Sequence, residues 1–190
     1  MSVKRIVILA SGSGTNALNI IRYFKNNGKA EVILVISNKG NAGVLEKATL
    51  ENVPVMVLNK KEHFAEKKFS EFLLKQKIDL IVLAGFLLLI PEHLTKAFPN
   101  KIINIHPALL PKYGGKGMYG AKVHEAVINN KDKESGITIH YVNERYDEGG
   151  IIFQTKCEVV SADTPETLAQ KIHALEYEHF PKVIEKTLLV

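Results

Sequence analysis

Five short runs of branched aliphatic residues, each followed by a longer amphipathic stretch, dominate the first half of the chain and restrict what it can fold into. "RIVILA", "EVILVI" and "LIVLAG" are apolar at consecutive positions, not at alternate ones. Such a strand has no face to give to water and belongs inside a sheet covered on both sides by helices. The runs at 4–10, 31–36, 54–58, 78–84 and 102–105 are separated by 3.6-period segments near 15–26, 42–52, 62–77 and 91–98, a βαβ series that predicts a parallel sheet. The pattern changes after residue 120. A short helix near 121–129 precedes "GITIHYV" and "GIIFQTKCEVV", two strands around "NERYDEGG" that are expected to continue the sheet with antiparallel character. "DTPE" places an N-cap-like Asp or Thr before a Pro and opens a closing helix over 164–186. The predicted fold class is α/β: a single-domain, doubly wound, mostly parallel sheet with helices on both faces and antiparallel late strands, spanning 1–190.

Composition narrows the setting. With 190 residues, 46% of them hydrophobic and 24% charged, the chain can bury a substantial core and is not generally disordered. None of its apolar runs is long enough to span a bilayer and the first lacks the features of a signal peptide, so a cytoplasmic protein with no membrane partner is expected. The single Cys157 rules out an internal disulfide or a multi-Cys metal cage. A formal charge of +5 admits nucleic acid, an anionic surface or a phosphorylated small molecule as partner. Much of the excess falls on Lys60, Lys61, Lys67, Lys68, Lys75 and Lys77, interleaved with Glu62, Glu66 and Glu71, which reads as a solvated helix face. No basic-aromatic module supports a nucleic-acid partner. His140, His173 and His179 lack metal-ligand spacing, and no metal is expected.

The first strand runs directly into "SGSGTN". Gly12 and Gly14 allow close backbone approach, and the helix that follows offers free N–H groups and a positive dipole end to an anion. A dinucleotide fingerprint would need a third Gly or Ala, for which Ala17 is the nearest candidate, and an acidic residue where this chain has "SNKG". A triphosphate-binding loop would need a Lys that does not follow Gly14. What remains is a turn suited to one phosphate, formed by Gly12, Ser13, Gly14, Thr15 and Asn16; a tight turn without a ligand is the alternative.

At the end of the fifth run stands "NIHPALLPKYGG". Asn104 and His106 are two apart on a strand, so both side chains point the same way, and Pro107 ends the strand. An amide donor beside an imidazole suits a reaction that develops negative charge on oxygen while a proton changes hands. A structural pairing would also account for a strand-terminal His.

This stretch resembles the N-x-H-P-[SA]-L-L-P signature of the folate-dependent formyltransferase family, and "SGSGTN", "LAGFLLLI" and "YDEGGII" extend the match over nearly the whole chain. The resemblance implies a catalytic set of Asn104, His106 and Asp147. Asn104 would donate to the oxygen of a tetrahedral species, an imidazolium at His106 would stabilise it or supply a proton, and Asp147 would hold His106. It further implies that Gly12 to Asn16 take a ribonucleotide phosphate and that Glu176 meets the substrate amine or ribose. Phe86, Leu87, Leu88, Leu89 and Ile90, with Asn104, would line the folate pocket. The implied co-substrate is 10-formyltetrahydrofolate, and the member type that the length matches formylates the amine of glycinamide ribonucleotide in purine (IMP) synthesis. A homodimer is admitted by the sequence without being indicated by it.

Three features depart from the family pattern. Leu88 stands where many members carry a basic residue, the loop 113–120 is long and Gly-rich and suits either a lid or a mobile surface loop, and the Lys often found on the closing helix is matched loosely by Lys171 or His173. A formyltetrahydrofolate hydrolase with the same catalytic set, and a nucleotide-binding module using the Gly-rich turn alone, are the competing readings. The hydrolase and tRNA-directed members carry additional domains for which this chain has no evident room.

Overall fold

The computed structural model describes residues 3–58 and 64–189. Strands β1 (Lys4–Leu9), β2 (Ala30–Ser37), β3 (Val55–Val57), β4 (Leu80–Leu83), β5 (Ile102–His106), β6 (Glu134–Tyr141) and β7 (Ile151–Glu158) form one sheet in the order β3-β2-β1-β4-β5-β6-β7. All pairings from β3 across to β5 are parallel, and β5 to β6 and β6 to β7 are antiparallel. The helices are α1 (Thr15–Asn27), α2 (Gly43–Leu50), α3 (Lys67–Lys75), α4 (Glu92–Ala97), α5 (Ala121–Asn129) and α6 (Pro165–Leu188).

The consecutive apolar runs are explained by where their side chains go. Ile6 and Ile8 of β1 pack on one face with Ile20, Phe24, Leu168 and Phe180 of α1 and α6. Val7 and Leu9, pointing the other way, pack with Phe69 and Leu73 of α3 and Leu94 of α4. All four β1 residues have no exposed surface, each contributing roughly 1.5–3 kcal/mol of burial. Neither face of β1 could tolerate a polar residue, so its register is set twice over.

The expected α/β architecture is therefore present, with the antiparallel pair where it was placed. The late strands begin at Glu134, two residues before the glycine that opens "GITIHYV", because pairing starts at Glu134 with Glu158. The helix expected over 62–77 is described as α3 from Lys67; Lys60, Lys61 and Glu62 lie outside the described residues. Lys67, Lys68, Glu71 and Lys75 are exposed on it. α6 begins as expected, with Thr164 accepting from Thr167 N–H in a capping box and Pro165 at the first position.

Sheet order also fixes where a ligand can go. β1 leads outward through β2 to β3, and β4 starts the opposite progression, so the crossover connections diverge between β1 and β4. A crevice opens outside the carboxyl ends of strands at such a point. "SGSGTN" leaves β1 there and "GFLLLI" leaves β4 there.

Candidate functional site

A cleft of about 630 Å³ occupies that crevice, and Gly12 to Asn16, Phe86 to Ile90, Asn104, His106, Asp147 and Glu176 all line it. Its phosphate-sized end is built by the first turn. Gly14 has φ 78°, and a Cβ there would lie 2.5 Å from the Cα of Val44, so only glycine fits between the turn and α2. Val44 N–H donates to Gly12 O at 3.1 Å, clamping the turn from below. No side chain caps α1, which leaves its first N–H groups available to a ligand.

Ser11, one residue before, links this turn to the apolar wall. Its hydroxyl donates to Asn38 Oδ1 at 2.6 Å and accepts from Leu87 N–H at 3.0 Å. Its own N–H donates to Gly85 O at 3.0 Å. In the wall, Phe86 and Ile90 are buried, whereas Leu87 and Leu89 are exposed. Ser11 was not singled out in the sequence, where it reads as one more small residue of a Gly-rich turn.

From α6, Glu176 reaches the same end of the cleft. It is 5% exposed, and its Oε2 accepts from Asn16 Nδ2 at 2.8 Å and from His173 Nδ1 at 2.9 Å. Both bonds go to one oxygen, so the other is uncommitted. The bond to Glu176 raises the pKa of His173, burial opposes that, and the Glu176 charge adds to the rise. Lys171 is not at the site; its ammonium donates to Asp163 Oδ2 at 2.6 Å and to Glu158 O at 3.1 Å. Two buried atoms along the cleft have no partner, Asn16 Oδ1 and His124 Nδ1. An unpaired buried polar atom costs roughly 1–3 kcal/mol, a cost that a bound ligand can remove.

The reactive end lies on the seam between β5 and β6. Asn104 sits directly opposite His140 in the antiparallel register, and Asn104 Nδ2 is 3.1 Å from His140 Nε2. His140 Nδ1 faces Tyr141 O at 2.8 Å. A carbonyl only accepts, so Nδ1 carries the hydrogen and Nε2 is the bare nitrogen that takes one Asn104 N–H. The second Asn104 N–H has only Asp147 Oδ1, at 3.5 Å.

His106, 3% exposed, donates from Nε2 to Tyr113 O at 2.8 Å. Its Nδ1 lies 3.6 Å from Asp147 Oδ2, close enough for charge to be felt and too far for a hydrogen bond. Burial is the largest influence on this imidazole and lowers its pKa; the Asp147 charge and the bond to Tyr113 raise it without overcoming burial. Burial thus works against the imidazolium expected from the sequence, and the Asp147 carboxylate works for it.

Asp147, with φ 58°, is fixed by Gly115 N–H donating to Oδ2 at 2.9 Å. Burial works to raise its carboxyl, the Gly115 N–H bond to Oδ2 opposes that, and the balance lies below its ordinary value. The Gly-rich loop is thus tied to the site at two backbone points, Tyr113 O and Gly115 N–H. Among the described residues no group of three or more His, Cys, Asp or Glu side chains is arranged to hold a metal ion.

A model of the family described as "Formyl transferase" matches residues 4–184. The chain belongs to the formyl transferase family. Among formyl transferases, it is 36% identical over 191 residues to the phosphoribosylglycinamide formyltransferase of Bacillus subtilis, covering 98% of this chain and 95% of that one. It is 39% identical over 187 residues to the chloroplastic phosphoribosylglycinamide formyltransferase of Arabidopsis thaliana, covering 95% of this chain and 64% of the plant protein. The chain thus spans less than two thirds of the length of that plant relative. The crystal structure of phosphoribosylglycinamide formyltransferase from Bacillus halodurans superimposes with a TM-score of 0.86 at 38% identity, over 97% of this chain and 95% of that one.

Beside the residues singled out from the sequence, Ser11, His124 and His140 line this cleft, and Tyr113 reaches His106 through its carbonyl. His140 carried a signal that could have found it: once "GITIHYV" pairs antiparallel with "IINIH", one register sets it opposite Asn104.

Proposed function

We propose that the chain transfers the formyl group of 10-formyltetrahydrofolate to the amine of glycinamide ribonucleotide. The observation that carries the reading is the convergence of Asn104, His106 and Asp147 in the same cleft as a glycine turn and a buried, half-committed Glu176. In this reading Gly12 to Asn16 hold the ribonucleotide phosphate, with Asn16 Oδ1 finding its missing partner, and the uncommitted oxygen of Glu176 accepts from ribose or amine. Phe86 to Ile90 pack against the pterin. The co-substrate is a folate, without a metal, and the setting is cytoplasmic.

The chemistry follows from the hydrogens already placed. The substrate nitrogen attacks the formyl carbon, and the carbonyl oxygen becomes negative. Asn104, held through one N–H by His140, offers the other to that oxygen. His106 Nδ1, the ring nitrogen with no hydrogen, accepts the proton lost by the attacking amine. The resulting imidazolium is stabilised by Asp147 and adds its charge to the site of the oxyanion. The same proton then passes to folate N10 as the carbon–N10 bond breaks. One C–N bond forms, one breaks, and the proton moves from the acceptor amine to the departing nitrogen.

The reading is tested by mixing the protein with glycinamide ribonucleotide and a 10-formyl folate and following deformylated folate by absorbance. Acceptor-dependent turnover is expected. Formate release without acceptor would reassign the chain as a hydrolase, and ribonucleotide binding with no turnover would make it a binding module.

A further inference from the structure

Thr138 on β6 is a polar side chain with no exposed surface that the proposed chemistry does not use. It stands directly opposite His106 in the antiparallel register, at the pair where β5 ends. A hydroxyl has one hydrogen and two lone pairs, and all three are engaged here. It donates to Ala108 O at 2.6 Å, accepts from Leu110 N–H at 3.0 Å and accepts from Gln154 Nε2 at 2.8 Å. Gln154, its register partner on β7, gives its other N–H to Leu110 O at 3.0 Å. Two strands thus hold Leu110 by both of its backbone groups and Ala108 by its carbonyl.

The segment held in this way is the one that reaches back over the reactive end. Three residues beyond Leu110, Tyr113 O accepts from His106 Nε2 at 2.8 Å, and Gly115 N–H donates to Asp147 Oδ2 at 2.9 Å. Between them, Gly114 is wedged against both the anchor and the site: a Cβ there would stand 2.6 Å from Leu110 Cδ2 and 3.3 Å from Asp147 Cβ. A shift of Leu110 is therefore passed on to the groups that orient the imidazole and the carboxylate. We propose that Thr138, with Gln154, is a positioning residue for His106 and Asp147, acting through the backbone of residues 108–115. Its kinetic consequence rests on the formyl-transfer reading, and its structural consequence does not. The Tyr113 hydroxyl, donating to Asp132 Oδ2 at 2.9 Å, is a second hold on the segment, so loss of the first loosens it without releasing it.

The experiment uses the full chain and three variants. Thr138→Val keeps the shape of the side chain and removes the hydroxyl. Thr138→Ser keeps the hydroxyl and removes a buried methyl. Gln154→Met removes both amide donors at a position that is exposed on β7. Thr138→Val should lower kcat about 10-fold, with KM for both substrates within about twofold, since the reacting groups are displaced and the turn that holds the phosphate is untouched. Thr138→Ser should unfold at a lower temperature than the wild type and yet keep kcat within about twofold. That separation is the decisive readout, because a purely structural threonine would lose stability in both variants and kcat in neither. Gln154→Met should lower kcat about threefold, and it carries the kinetic test if Thr138→Val does not fold. Amide hydrogen exchange at Gly115 reads the same link without turnover, with exchange about 10-fold faster in Thr138→Val and unchanged in Thr138→Ser. An unaltered kcat in Thr138→Val, a fall that serine does not restore, or a Gly115 amide as protected as in the wild type overturns the proposal. A wild type without turnover would sink the formyl-transfer reading and leave the Gly115 exchange to decide this one.

Discussion

The two ends of the cleft are built in different ways. The end formed by the first turn is built mainly from one contiguous segment, its backbone N–H groups, two glycines and Asn16, with Glu176 and His173 reaching it from α6. The end on the β5–β6 seam takes its groups from four places: Asn104 and His106 on β5, His140 on β6, Asp147 on the following loop, and two backbone groups of the Gly-rich loop. A phosphate is a large, symmetric charge that a run of amides can satisfy, so recognition can be encoded locally. A tetrahedral oxyanion and a proton in transit require donors and acceptors at fixed relative angles, which a strand junction supplies and a single loop does not. The difference predicts that damage at the seam acts on kcat and damage at the turn acts on substrate affinity.

The largest effect tests the seam directly. Asn104→Ala removes the N–H that the proposed oxyanion uses and leaves His140 Nε2 without its donor. A fall in kcat on the order of 100-fold to 1000-fold is expected with KM little changed, measured by steady-state kinetics against both substrates. A loss confined to KM would move Asn104 from chemistry to binding.

At the turn, Gly14→Ala forces a Cβ to within 2.5 Å of Val44 in a residue with φ 78°. The strain is on the order of 1–3 kcal/mol, so ribonucleotide affinity should fall about 10-fold to 100-fold, with kcat at saturation largely retained. Isothermal titration with the ribonucleotide reads this without turnover. A variant that binds normally but turns over slowly would erase the division between the two ends.

Ser11→Ala probes what joins them. The substitution leaves Leu87 N–H and Asn38 Oδ1 without their shared partner in a site that is 3% exposed. Losing it should raise KM for both substrates several-fold together, consistent with about 1–2 kcal/mol for a buried group left unpaired. If only the folate KM changes, Ser11 supports the wall alone.

These contrasts also explain what could be read from the chain before its structure. β1 was legible because Ile6, Val7, Ile8 and Leu9 are all buried, and a run apolar on both faces has few other uses. Asn104 and His106 were legible because a period of two puts them on one side of a strand. His140 was not, since antiparallel register between β5 and β6 is fixed by pairing over thirty residues away. The depth at which His106 is buried was not legible for a related reason: the Asp147 carboxylate can be read from the chain, but burial is a property of the assembled cleft. Tyr113 entered the chemistry through a backbone carbonyl, which no side-chain pattern encodes. The choice between Lys171 and His173 was within reach, because residues three apart share a helix face and His173 is the one three before Glu176.

That choice gives the smallest effect and a defined sign. His173 is about half exposed, so its pairing with Glu176 is screened and its influence on substrate is modest. The Glu176 bond is the largest cause of its shift and raises its pKa above the ordinary 6.5. A raised value means that the cationic form is fully present below 6.5 and is lost as pH climbs through the folded-state value above it. Attraction for a phosphate-bearing substrate should follow the same course, so KM for the ribonucleotide rises as pH is taken upward through that window. His173→Gln keeps a donor toward Glu176 and removes the charge, and it should flatten this rise while changing KM only two- to threefold on its low-pH side. Lys171→Met, whose ammonium is spent on Asp163 and Glu158 O, should leave the pH dependence as in the wild type. A profile of KM against pH for the three proteins separates them. A flat profile in the wild type would show that the turn's amides, without the imidazolium, hold the phosphate by themselves.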